Sequence, residues 1–133
     1  MKDYVIVDTS VWIDFFNGRL TAHVKLLFGL MDTDLIIVPP VILQEVLQGI
    51  NNKEMIHIVE EIFMGYHFIA YDSYEIAFNS AELYRSLRQK RVAIRSSNDA
   101  VITILCMQNK AMLLHNDKDF NNIAKHTSLK IYK

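Results

Sequence analysis

The feature that most constrains this chain is a series of short, unbroken apolar runs, each followed within a few residues by a helix-start signal. Tyr4-Val5-Ile6-Val7 leads into Asp8-Thr9-Ser10, and Leu35-Ile36-Ile37-Val38 leads into Pro39-Pro40. A strand with one wet face alternates polar and apolar residues. A strand that is apolar at every position has to be covered on both faces. Helices provide that cover, and helical spacing fills the gaps between the runs.

Val11, Trp12, Phe15 and Phe16 recur at helical spacing before Gly18, and residues 21–31 carry Val24, Leu27, Phe28 and Met31 on one side. The prolines open a helix that reaches about Gly49, since a missing amide costs nothing in a first turn. Residues 53–65 form a further helix and 67–71 a third strand. Asp72-Ser73-Tyr74-Glu75 has capping-box spacing with Asp in place of Ser or Thr. It opens a long helix whose face is Ile76, Ala77, Ser80, Ala81, Tyr84 and Leu87. A basic loop, 90–97, leads to a helix at 98–109 that is apolar on most sides and should be buried. Residues 111–114 and 129–132 read as the fourth and fifth strands, with a short helix at 117–125 between them. The alternation predicts a three-layer α/β/α sandwich around a mostly parallel sheet of about five strands.

The length, 133 residues, fits a single domain over 1–133. Hydrophobic residues make up 51% and charged residues 22%, a globular balance rather than a disordered one. The single cysteine, Cys106, rules out a disulfide framework and a cysteine-rich zinc site, and fits a reducing, cytoplasmic setting. The longest uncharged runs are about half of what a membrane-spanning helix needs, so no membrane role is expected. Asp3 and Asp8 interrupt the apolar start, unlike a secretory signal. Charge is split along the chain. Residues 1–72 hold four Lys/Arg and ten Asp/Glu, whereas 73–133 hold ten and five. A polyanion would have to use the second half.

Ligands of parallel sheets sit at the carboxyl ends of the strands. Asp8 follows the first strand directly, and Asp117 follows the fourth by two residues. Asp99 lies in the first turn of the buried helix before that strand. Glu45 lies on the helix after the second strand, beside Ile42, Val46 and Ile50. Asp8 and Asp117 also serve as helix caps, and Asp99 gains from a helix dipole. Four carboxylates on one edge repel each other and hold protons unless a cation neutralises them. Oxygen donors of this kind suit Mg2+ or Mn2+. No Gly-rich phosphate loop is present, which argues against a nucleotide-cofactor site.

The segments Val5-Ile6-Val7-Asp8-Thr9-Ser10-Val11-Trp12-Ile13-Asp14, Gln44-Glu45-Val46, Asn98-Asp99-Ala100-Val101-Ile102 and Leu113-Leu114-His115-Asn116-Asp117-Lys118-Asp119-Phe120 resemble the PIN-domain nucleases. The likeness is greatest to the VapC-type toxins of toxin–antitoxin pairs, and it spans nearly the whole chain. The resemblance implies a metal-dependent endoribonuclease acting on single-stranded or loop RNA, a cognate antitoxin as partner, and a homodimer with contacts from apolar residues in the first 70 positions. Asp8, Glu45, Asp99 and Asp117 match the family's acidic quartet, and Ser10 matches the hydroxyl beside the first acid. Asp117 is preferred to Asp119 because it comes first after the strand. His115 stands where Thr or Ser is common, and Val101-Ile102-Thr103-Ile104-Leu105 stands where small residues are preferred. These departures bear on fine geometry and substrate choice.

In this reading Asp8, Asp99 and Asp117 hold the metal, while Glu45 orients water or completes the metal shell. Arg85, Arg88, Arg91 and Arg95, with Ser10, are candidate RNA contacts. Cys106 reads as core rather than nucleophile. Trp12, Phe15 and Phe16 read as core or a subunit contact rather than a base-stacking platform. The competing classes are a housekeeping RNA-processing nuclease, a phospho-acceptor signalling domain, and a module that binds RNA or a partner without cutting. A phospho-acceptor domain needs an acceptor Asp at the end of the third strand. Asp72 stands there, but its capping-box spacing explains it.

Overall fold

A computed structural model describes residues 2–133. Its sheet grows from the apolar runs. β1 (Val5–Val7) is central and fully buried. It pairs in parallel with β2 (Ile36–Ile37) on one side and with β3 (Met112–Leu114) on the other. Parallel neighbours cannot be joined by a tight hairpin, so the chain crosses over through helices. α1 (Thr9–Phe16) and α2 (Ala22–Met31) connect β1 to β2. α3 (Pro40–Gln48), α4 (Lys53–Met64), α5 (Ser73–Gln89) and α6 (Ser97–Gln108) connect β2 to β3, and α7 (Lys118–Lys125) follows.

The expected sheet of about five strands contracts to three among the described residues. The two outer segments run where expected, but each makes a single parallel bridge: His67 with Ile37, and Ile131 with Leu113. His67 is held on both sides of its peptide, donating its N–H to Ile36 O at 3.1 Å and accepting from Val38 N at 2.9 Å. Each outer segment has one neighbouring strand and an open flank. Phe68, the next residue, is 53% exposed, and Ile69 and Tyr71 are only partly buried against the core.

The helices begin where local chemistry dictates. Thr21, Asn52, Asp72 and Ser96 each accept a first-turn backbone N–H, contacts worth about 1 kcal/mol apiece. α3 starts on Pro40 with no side-chain cap. The aromatic residues of α1 turn inward. Trp12 is fully buried, 4.8 Å edge-on from Phe63 and stacked on Phe16 at 5.9 Å, which makes it core rather than an open platform. α6 buries Ala100 and Ile102 through Cys106. Burial pushes the Cys106 thiol far above its usual pKa, out of the nucleophilic range. No helix among the described residues is long and apolar enough to cross a membrane.

Candidate active site

Asp8 stands where β1 ends and α1 begins. Its backbone N–H extends the ladder to Leu114 O at 2.8 Å, and its side chain caps α1. Oδ2 accepts from the Ser10 hydroxyl at 2.6 Å and from the Ser10 N–H at 3.1 Å. The Ser10 oxygen in turn accepts the Asn116 N–H at 3.1 Å, tying α1 to the β3–α7 loop. Burial holds the Asp8 carboxyl above its usual pKa, against the two Ser10 hydrogen bonds and with a further push from Glu45.

Glu45 reaches the same edge from α3. Its two oxygens have separate neutral donors: Thr9 Oγ1 at 2.8 Å and Asn98 Nδ2 at 3.2 Å. Thr9 neighbours Asp8 and Asn98 neighbours Asp99, so Glu45 is bonded to residues from both neighbouring elements. Neither Thr9 nor Asn98 was singled out from sequence. Their adjacency to two site acids was the available signal.

Asp99 occupies the first turn of α6. Burial and then the charges of Asp8, Asp117, Asp119 and Glu45 push its carboxyl up to about 7. Asp8, Glu45 and Asp117, the other candidate acids, are thus near enough to act on the Asp99 carboxyl. Asp117 caps α7, its Oδ1 accepting the Asp119 N–H at 2.9 Å. That cap turns Asp119 back toward the same cluster. Asp99, Asp117 and Asp119 each present one oxygen within 4.8 Å of the others. Asp117, the acid preferred from sequence, and Asp119 both belong to this cluster. Asp119 is the more buried, at 6% exposure.

Arg95 is the one basic residue from the candidate RNA cluster that meets the acids. Its Nε donates to Asp119 Oδ2 at 2.8 Å and its NH2 to Asp117 Oδ1 at 3.2 Å. Arg88 lies over the Tyr84 ring at 5.7 Å. Arg85 borders a groove of about 410 Å3 between α5 and α6 that reaches Ser97 and Ala100. Arg91 is exposed just beyond the end of α5.

Asp14, within the opening motif but given no role from sequence, is also buried. It accepts from Arg19 at 3.1 Å and from Asn116 Nδ2 at 3.2 Å, a second tie between α1 and the β3–α7 loop. His115 is 5% exposed. Its Nδ1 accepts the Asp117 N–H at 3.0 Å, and burial lowers its pKa, so the ring is neutral with its proton on Nε2. Asp72 is exposed and spends its carboxylate capping α5, which leaves no acceptor Asp at the third strand position.

A parallel sheet with acids gathered at its carboxyl edge defines the class, and comparison with known proteins specifies it. Residues 5–126 match the PIN domain family, and the chain belongs to that family. It is similar to VapC ribonuclease Mb1587 of Mycobacterium bovis and to Ribonuclease VapC11 of Mycobacterium tuberculosis. Each is 29% identical over 129 residues, covering 94% of this chain and 95% of the relative. Among solved structures it resembles VapBC2 from Rickettsia felis bound to a DNA fragment from their promoter. That match has a TM-score of 0.76 at 21% identity and covers 97% of each chain.

Proposed function

We propose that this chain is a metal-dependent endoribonuclease, the toxin of a toxin–antitoxin pair. The observation that carries this reading is the gathering of Asp99, Asp117 and Asp119 within 4.8 Å, with Arg95 bonded to two of them and with Asp8 and Glu45 tied to the same edge through Ser10, Thr9 and Asn98. A carboxyl pushed up to about 7, by burial first and by neighbouring carboxylates after it, marks a partly buried acidic site. Hard oxygen donors, crowded and partly buried, fit Mg2+ or Mn2+. Asp8, Asp99 and Asp117 would hold the cation, with Asp119 beside them. When bound, the cation supplies charge stabilisation at the phosphodiester and a more acidic water.

The chain's own residues do the rest by orientation. Ser10 gives its proton to Asp8 Oδ2 and takes the Asn116 N–H, so it braces Asp8 and the loop rather than reaching for substrate. Thr9 and Asn98 fix both oxygens of Glu45, which suits it to align an attacking water. With Arg95 engaged by Asp117 and Asp119, the RNA track falls to Arg85, Arg88 and Arg91.

The partner reading is a cognate antitoxin, together with a homodimer and a cytoplasmic setting. It draws on relatives named as VapC ribonucleases and on the VapBC complex that shares the fold. Leu20, Phe28, Ile58, Met64 and Phe68 are exposed apolar residues within the first 70 positions, and Tyr74 and Phe78 on α5 are more exposed still. Purified protein should cleave a single-stranded RNA in Mg2+ or Mn2+ and stop in a chelator, and Glu45→Gln should be inactive with its fold intact. Full cleavage in chelator would overturn the mechanism.

A further inference from the structure

We infer that the cleft beside Asp117 is a nucleotide subsite, which takes the single-stranded RNA residue next to the scissile phosphate. The inference rests on the ribonuclease reading and adds where the substrate lies. The cleft has a volume of about 490 Å3, between the start of α2, the β3–α7 loop, α7 itself and the extended segment at Tyr132. That is within the range of small-ligand clefts, roughly 300–1,000 Å3. Asp117 is part of its wall, so the cleft and the acidic cluster share a residue.

Charge reverses across that shared residue. On one side stand Asp8, Glu45, Asp99 and Asp119 with Arg95. On the other, Lys118 and Lys133 line the cleft, with Asp117 as its one acidic side chain. A polynucleotide matches both signs. Its reacting phosphate lies at the acids, where a cation is needed, and the flanking phosphate meets lysine.

The cleft also carries a fixed donor. His115 is buried in its wall, and its Nδ1 is committed to the Asp117 N–H at 3.0 Å. The ring therefore presents N–H at Nε2. Asn121 also lines the cleft. Its side-chain amide carries both donor and acceptor for a base edge. Tyr132, half-buried, offers a face on which a base can stack. The Asp117 N–H and the imidazole thus link the acidic edge to the wall of the cleft.

The test is a kinetic comparison on a single-stranded oligoribonucleotide. Asn121→Ala and Tyr132→Leu should each raise KM roughly tenfold with kcat within about twofold, and Tyr132→Phe should restore KM. The base preference beside the cut should relax in Asn121→Ala. Mn2+ affinity, read by calorimetry, should not move in any of them. Unchanged KM and an unchanged cleavage pattern in the Asn121→Ala/Tyr132→Leu double variant would overturn the subsite. So would the same variants weakening only antitoxin binding. If the wild-type protein cleaves no RNA, the ribonuclease reading fails, and the subsite is judged by binding alone. In chelator, the same oligonucleotide should then shift the His23 and His115 imidazole resonances, and silent resonances would reject it.

Discussion

The two halves of the acidic edge hold their carboxylates by different means. At Asp8 and Glu45 the partners are neutral: the Ser10 and Thr9 hydroxyls and the Asn98 amide. At Asp117 and Asp119 the partner is the Arg95 guanidinium. A neutral donor steadies a carboxylate without cancelling its charge, whereas a guanidinium cancels part of it. Asp99 lies between the halves, and burial plus the charges around it push its pKa to about 7. The difference teaches where a cation gains most. The hydroxyl-braced half has no cation among its partners, and the arginine-held half, which with Asp99 brings three carboxylate oxygens within 4.8 Å, already has part of its charge met.

Removing the acid at the junction should have the largest effect. Asp99→Asn is expected to lower RNA cleavage by on the order of 10^3-fold or more, measured as initial rates, because it deletes several kcal/mol of cation-mediated charge stabilisation. The fold should survive, and a linked pH effect should vanish. Folded, Asp99 titrates at about 7 rather than at the usual 3.8. Between those values the folded protein keeps a proton that the unfolded chain has released. Its contribution therefore favours folding at low pH and is lost as pH rises from about 4 to about 7. Thermal melts of the metal-free protein across that window should fall with pH, and more steeply in the wild type than in Asp99→Asn.

Breaking the neutral half should cost less. Ser10→Ala and Thr9→Val remove braces and not ligands, and each should reduce Mn2+ affinity or cleavage by about 10- to 100-fold. The arginine half should answer with the opposite sign. Arg95→Ala removes a cation that shares the field at Asp117 and Asp119, so Mn2+ should bind a few-fold more tightly by calorimetry. Arg95→Lys, with a point charge and no fork, should fall between. Weaker Mn2+ binding in Arg95→Ala would make the arginine an aligner of ligands and erase the contrast. The smallest effect is expected away from both halves. Arg85→Ala, Arg88→Ala and Arg91→Ala together should flatten the salt dependence of RNA binding by roughly two units if all three touch phosphate, with Mn2+ affinity unchanged. An unchanged slope would leave these residues as a solvated helix end.

The sequence carried the fold's centre better than its margins. The runs ending at Val7 and Leu114 are buried strands because apolar residues at every position require two covered faces. At 67–71 and 129–132 the same pattern produced one bridge each, since an edge segment has a single neighbour to order it. Asp8, Asp99 and Asp117 stand out as candidates in the sequence because each follows a strand or starts a helix beside one, and Glu45 because it borders the buried face of α3. Thr9, Asn98 and Asp14 do not stand out in the sequence, and Asp119 stands there only as the alternative to Asp117. Their importance comes from partners distant in sequence, such as Asn98 on Glu45 or Asn116 on Asp14. Arg95 was read as an RNA contact because local sequence gives its charge but not its target. The target is set by the turn that the Asp117 cap imposes on Asp119.

The central claim is that these carboxylates are gathered to hold a divalent cation. Calorimetric titration of Mn2+ into the metal-free protein at pH 8, in buffers of different ionisation enthalpy, tests it most directly. The account predicts saturable binding in the wild type, proton release growing as the pH is lowered toward 7, and loss of both in Asp99→Asn. No saturable binding to the folded wild-type protein, or equal binding to Asp99→Asn, would contradict it.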